Sequence, residues 1–156
     1  MLKAIKASGN SRSKGGRFGI VASKYNSRYV NGMLRAAEAE LKRARAQAEV
    51  VRVPGAFEIP LVAARLARRT MPRLSAVICL GVILRGETVH AAHIGDSVSR
   101  ALMQIQLETE VPVIHEVLLF ENPEQARIRC LDRKHNRGGE AARTAMEMAR
   151  VMVELR

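Results

Sequence analysis

Four short apolar runs alternate with amphipathic stretches along this chain, and that alternation limits its fold more than any other feature. Phe18–Ser23, Glu49–Val53, Ser75–Gly81 and Val111–Leu118 are rich in strand formers and end at polar, glycine or proline positions. Tyr29–Arg45 sits between the first two, with Val30, Met33, Leu34, Ala37 and Leu41 at helical spacing. Glu58–Arg69 and Ala91–Glu108 are the next predicted helices, and Pro60 falls in a first turn where its missing N–H costs little. A short helix over Pro123–Cys130 and a closing one over Gly138–Leu155 follow; the latter carries Ala142, Ala145, Met146, Ala149 and Met152 on one face. Strands joined through helices run parallel with right-handed crossovers, so the pattern predicts an α/β fold with helices on both faces of the sheet. In such sheets ligands bind beyond the carboxyl ends of the strands. Those ends are Lys24-Tyr25-Asn26, Pro54 to Glu58, Gly81 to His90 and His115 to Asn122.

A chain of 156 residues suits one domain with a real core. We expect a tail over residues 1–16, with a short strand at Leu2–Ile5 as one reading, and an α/β domain over residues 17–156. Hydrophobic residues make up 47%, which argues against disorder, and no apolar run approaches the roughly 20 residues that cross a bilayer. The first residues lack the apolar core of a signal peptide, so the expected compartment is the cytoplasm, with no membrane partner. Cys79 and Cys130 lie far apart without metal-ligand spacing; Cys79, in an apolar run, reads as a buried thiol. The net charge of +11 invites a nucleic-acid partner. Aromatic residues are only 3%, however, and much of the excess charge sits on predicted helices beside alanine and glutamate, which argues for a solvated basic surface instead.

Four groups can carry chemistry. Tyr25-Asn26 follows the first strand, where Tyr25 can stack on a flat heterocycle or simply pack at a turn. In VPGAFEIP, Gly55 allows close approach of the backbone, Ala56 and Phe57 can present N–H and C=O groups to a polar ring, and Glu58 suits a helix start in any case. In CLGVILRGETVH an apolar strand breaks into Arg85-Gly86-Glu87-Thr88 before a helix. Gly86, Glu87 and Thr88 can there offer converging N–H donors to an anion, with the His90 imidazole alongside for proton transfer. Finally, Arg129 and Arg133 lie four apart and would face one way on a continuing helix, where guanidinium groups suit a phosphate dianion. There is no Walker-type loop, no GxGxxG, and the four scattered histidines make no metal site, so the expected chemistry is proton transfer and anion binding without cofactor or metal.

VPGAFEIP, CLGVILRGETVH and ENPEQARIRC…NRGGEAA, in this order and spacing, resemble the lumazine synthase family, and RFGIVASKYN resembles its first strand and loop. The resemblance runs from about Arg17 to the C-terminus. It implies a three-layer, flavodoxin-like sandwich with a four-stranded parallel sheet flanked by helices. It also implies condensation of 5-amino-6-(ribitylamino)uracil with 3,4-dihydroxy-2-butanone 4-phosphate, without a cofactor, in riboflavin biosynthesis. Homo-oligomers with sites between subunits are implied too: pentamers, often twelve in an icosahedral shell, and an association with riboflavin synthase. Residue by residue, Tyr25 takes the place of the aromatic that stacks on the pyrimidine and Asn26 follows it. Ala56, Phe57 and Glu58 match the pyrimidine and ribityl stretch, and Val82 and Ile83 match the backbone beside the ring. Gly86, Glu87 and Thr88 match the phosphate turn, His90 the proton-transfer histidine, and Arg129 the arginine that a neighbouring subunit lends to the phosphate. Arg137 sits where the family often has a lysine near the ribityl chain. Arg133 to Gly139 shows no insertion relative to shell-forming members, which favours a 60-subunit shell.

Two departures fall in the site. Ala91-Ala92 stand where the family usually has an aromatic and an acid, and His115-Glu116 stand where it commonly reads Phe-Gly. His115 thereby occupies the aromatic position that covers the pyrimidine from the adjacent subunit. These changes motivate one alternative, a shell or flavin- or pyrimidine-binding protein with weak catalysis; the net charge of +11 motivates another, a basic shell that associates with RNA.

Overall fold

The computed structural model describes residues 15–86 and 88–156. The expected tail strand at Leu2–Ile5 and the phosphate-turn candidate Glu87 lie outside the described residues. The elements in chain order are β1 (Arg17–Ser23), α1 (Ser27–Arg43), β2 (Gln47–Val53), a 3-10 turn at Ala56–Glu58, α2 (Ile59–Ala67), β3 (Ala76–Leu84), α3 (His90–Thr109), β4 (Val113–Phe120), α4 (Pro123–Leu131) and α5 (Arg137–Glu154).

All four strands are parallel, in the order β2-β1-β3-β4. Alternate side chains build two cores. Phe18, Ile20, Ala22, Ile78, Leu80 and Val82 pack under α1, α4 and α5, while Val21, Val77, Cys79, Ile83, Val113 and Val117 pack under α2 and α3. Central strands covered on both faces must be apolar at every position, which is why AVICLGVIL reads as a continuous apolar run rather than an alternating one. Connections leave β1 and β3 in opposite directions, so the switch point, where ligands bind in such sheets, lies between their carboxyl ends.

Several boundaries differ from expectation. β3 does not stop at Gly81 but runs to Leu84, because β4 keeps pairing with it through Leu84↔Phe120. Gly81 is a packing residue rather than a stop: a Cβ there would lie 3.0 Å from Ile59 Cδ1 and 3.1 Å from Val117 Cγ1. β4 likewise runs through Phe120, which places His115 and Glu116 inside the strand and not in the loop beyond it. α1 begins at Ser27 and ends at Arg43, and Arg45 (φ 56°) turns the chain through the left-handed region. The second helix opens as a 3-10 turn and ends at Ala67. α4 stops at Leu131, because Asp132 is extended and its carboxylate accepts from Lys134 N–H at 2.7 Å. Arg133 therefore does not share a helix face with Arg129, contrary to the four-residue spacing.

The α1–α4–α5 corner is set by residues that the hydrophobic pattern passes over. Asn136 caps α5 by accepting from Gly138 N–H (2.9 Å), and its amide donates to Cys130 O (2.8 Å) and Gly32 O (3.3 Å), so one side chain joins three helices. Gly32 and Gly138 lie against the Cys130 and Met33 carbonyls, where a Cβ would overlap backbone.

Candidate active site

The carboxyl edge of the sheet is an open shelf. Leaving β1, Lys24 N–H donates to Val53 O (2.8 Å) and Tyr25 N–H to Pro54 O (3.0 Å), so the first loop runs beside the second. Asn26 adopts φ 55°, and its side-chain amide donates to Val82 O at 2.8 Å, bridging the switch point. Tyr25 is 74% exposed and Phe57 64%. Two aromatic rings thus face water on one edge of the sheet, where each can stack on a flat ligand. Ala56 is half-buried, and the exposed Glu58 carboxylate accepts from Gly55 N–H (2.9 Å), which closes the start of the 3-10 turn. The Val82 and Ile83 side chains are buried in the two cores, so only their backbone can face a ligand.

The third loop starts with Arg85, whose N–H donates to Phe120 O (2.9 Å) and whose guanidinium pairs with Glu121 (2.8 Å). Gly86 borders open space. The Gly86 and Thr88 N–H groups donate to no other described residue, and Thr88 Oγ1 accepts from His90 N–H at 3.4 Å. His90 is the first residue of the 20-residue α3 and is exposed. The N-terminus of α3, where the Ala91 and Ala92 N–H groups meet no acceptor among the described residues, thus lies beside the Gly86 and Thr88 donors, an arrangement suited to an anion. Ala91 packs into the α2–α3 core and Ala92 is half-buried, so neither supplies an acid beside the imidazole.

Three candidates stand apart from this group, and among the described residues none shares a hydrogen bond or ion pair with it. His115 lies within β4, opposite Cys79. Its Nε2 is 2.7 Å from Ser99 Oγ, which donates to Gly95 O (2.8 Å); its Nδ1 accepts from Val117 N–H (3.1 Å). Since Ser99 spends its proton on Gly95, Nε2 must carry the hydrogen and Nδ1 the lone pair. Burial holds the His115 pKa below the ordinary histidine value. Arg137, on the opposite face of β4, makes a two-pronged pair with Glu116 (2.9 and 3.1 Å) and also binds Glu140 (2.6 Å). Burial raises the Glu116 carboxyl and the Arg137 guanidinium opposes that shift. Arg129 projects from α4, exposed and without an ion-pair partner among the described residues.

Sequence reasoning missed Arg52, Asn31 and Ser99, polar residues inside predicted elements, and Asn136, in the segment between the last two predicted helices; each finds a partner on another element. Ser23, at the end of β1, is buried and its hydroxyl meets no partner among the described residues. Among those residues no group of three or more His, Cys, Asp and Glu is arranged to hold a metal ion, and no helix is long and apolar enough to cross a membrane. Burial pushes the Cys79 thiol far up and the Cys130 thiol up to about 12, so neither serves as a thiolate. A cavity of about 420 Å³ at the amino edge of the sheet, lined by Ser75, Pro112 and Met152 among others, contains none of the candidate residues.

The chain matches the family model described as 6,7-dimethyl-8-ribityllumazine synthase over residues 15–153. It is 40% identical over 143 residues to the 6,7-dimethyl-8-ribityllumazine synthase of Thermus thermophilus, covering 90% of each chain. It is 39% identical over 142 residues to that of Stenotrophomonas maltophilia, covering 89% of this chain and 90% of the relative. To that of Clostridium kluyveri it is 37% identical over 150 residues, covering 94% and 96%.

Proposed function

The chain belongs to the 6,7-dimethyl-8-ribityllumazine synthase family, and we propose that its carboxyl-edge shelf joins 5-amino-6-(ribitylamino)uracil to 3,4-dihydroxy-2-butanone 4-phosphate. Membership makes it a transferase of riboflavin biosynthesis. The observation that carries the site assignment is the meeting of three loops, which bring Tyr25 and Phe57 to the same edge as the Gly86–Thr88 turn and His90.

In this reading the pyrimidine lies on Tyr25 beside the Val82–Ile83 backbone. Asn26 and Ala56 to Glu58 face the pyrimidine and its ribityl chain. The phosphate sits on Gly86, Glu87, Thr88 and the N-terminus of α3. The pyrimidine 5-amino nitrogen adds to the ketone carbonyl carbon, a proton passes from nitrogen to oxygen, and water leaves to form an imine. Loss of a carbon-bound proton then expels phosphate and forms an enol, which becomes a carbonyl. The ribityl-bearing nitrogen closes the ring on that carbonyl, with loss of a second water. Each step moves a proton, and His90 is the carrier within reach of the turn. Holding two reactants together contributes up to roughly 7–11 kcal/mol toward the barrier, so positioning matters as much as proton transfer.

Arg129 and His115 enter from an adjacent subunit in this reading, and Arg137 lies near the ribityl chain. Its support is that none of them shares a hydrogen bond or ion pair with the His90 group among the described residues, together with the exposed apolar side chains Leu61, Val89, Met103 and Leu107. We favour a pentamer assembled into a 60-subunit cytoplasmic shell that associates with riboflavin synthase. In this reading the domain spans residues 17–156.

Purified protein mixed with both substrates and followed by lumazine fluorescence tests the assignment. His90→Ala is expected to lower kcat by about 100-fold. Arg129→Ala is expected to raise KM for the phosphorylated ketone by about tenfold. Native kinetics in both variants would sink it. A second reading, pyrimidine binding with slow turnover, draws on Ala91-Ala92, which leave His90 without a neighbouring acid, and on the engagement of Arg137 by Glu116. Tight binding of a ribityl-pyrimidine with negligible product would select it.

A further inference from the structure

The loop that carries Tyr25 and Asn26 holds an unfavourable backbone. Asn26 sits at φ 55°, and no side chain caps the start of α1 behind it. Asparagine tolerates this region better than most residues but still needs surroundings that enforce it. Two backbone bonds to the second loop and the Asn26–Val82 bond hold the loop from below and from one side. A further restraint among the described residues is Arg52.

Arg52 projects from β2 toward the neighbouring strand. Its Nε donates to Ala22 O (3.2 Å), its Nη2 to Ser23 O (3.0 Å), and its Nη1 to Asn31 Oδ1 (2.8 Å). The first two acceptors are the last carbonyls of β1, just before the loop, and the third is on α1, just after it. One rigid, half-buried fork therefore grips both ends of the Lys24-Tyr25-Asn26 loop. Among the described residues no carboxylate lies within ion-pair distance of Arg52, so all these donors go to neutral acceptors. That is the use of a guanidinium for geometry rather than for charge neutralisation.

We infer that Arg52 is a positioning residue for the pyrimidine half of the site, which fixes the loop so that Tyr25 and Asn26 stand over the gap between β1 and β3. The inference rests on the reading above that the pyrimidine lies on Tyr25. Arg52 touches neither substrate. Its loss should therefore widen the range of loop positions and weaken capture of the pyrimidine. The phosphate turn after β3 belongs to another loop and should be unaffected.

Steady-state kinetics of the assembled protein, varying each substrate in turn, test this. Arg52→Gln is expected to raise KM for the pyrimidine by about tenfold while KM for the phosphorylated ketone and kcat stay within about twofold. Asn31→Ala removes one of the three bonds and is expected to raise the pyrimidine KM by about threefold without loss of fold. Arg52→Lys, which keeps charge but not the fork, should fall between native and Arg52→Gln. A native pyrimidine KM in Arg52→Gln, or equal rises in both KM values, would overturn the positioning role. Should Arg52→Gln fail to assemble, an unchanged pyrimidine KM in Asn31→Ala overturns it instead. Tyr25→Ala reports on the underlying reading. A native pyrimidine KM in that variant defeats the placement of the pyrimidine itself. A raised KM there beside a native KM in Arg52→Gln defeats only the role of Arg52.

Discussion

His115 and Glu116 are neighbours in sequence with opposite surroundings, because successive side chains of a strand face opposite sides of the sheet. His115 faces α3 as a neutral imidazole with its hydrogen on Nε2; protonating Nδ1 would set it against the Val117 N–H. Its folded pKa is lowered, so the folded state binds fewer protons than the unfolded chain. That contribution is complete above the unfolded value of about 6.5 and is lost as pH falls through the lower folded value. The melting temperature of the native protein should therefore drop between about pH 7 and pH 5, and His115→Phe should reduce that drop by about 2 °C or more. An equal drop in both would exclude His115 as its source. Glu116 faces the other way, 6% exposed, and its carboxylate is tied to Arg137. Removing the cation strands a buried charge, so Arg137→Met should lower stability in urea by about 3 kcal/mol, while the double variant Glu116→Leu, Arg137→Met should recover most of it. Additive losses would show that the two side chains act separately. The sequence offers no account of Glu116, because its partner lies 21 positions away and meets it only once α5 has docked.

Helix placement depends on close approach at two glycines. Gly138 of α5 lies on the Met33 carbonyl of α1, and Gly32 of α1 lies on the Cys130 carbonyl of α4. Backbone cannot yield as a flexible side chain can, so Gly138→Ala should cost about 2 kcal/mol or more in urea unfolding. Gly86→Ala, with nothing near its Cβ position, should shift stability by less than about 0.5 kcal/mol. Equal effects at the two positions would contradict this packing. At this scale the order and type of the elements were legible, because apolar runs and helical stripes follow from local sequence. Their ends were not. Gly81 looks like a stop and is a spacer, and the helix on which Arg129 and Arg133 would face one way does not continue past Leu131, because Asp132 turns the chain.

At the scale of the whole molecule, one chain presents a shelf with two exposed aromatic rings, a histidine and the loop after β3, and carries Arg129 elsewhere. If neighbouring chains complete one another's sites, His90→Ala and Arg129→Ala proteins, each slow when assayed at ketone well below the native KM, should gain activity when unfolded together and reassembled. Random mixing leaves both native residues at about one quarter of the contacts between subunits, so about a quarter of native activity is expected. No recovery from mixed assemblies of native size would place Arg129 in the same chain's site.

The sequence by itself determined the layered α/β architecture and which loops form the shelf, since strand periodicity, helical stripes and glycine or proline breaks act within a few residues of one another. It also marked Tyr25, Phe57 and His90, because motif spacing survives without coordinates. Only the tertiary structure decided that His115 is locked neutral under α3, that Glu116 and Arg137 hold each other, and that Arg52 grips the loop beneath Tyr25. Each of those depends on groups far apart in the chain whose charges and hydrogen bonds gain strength only when folding brings them together and removes water.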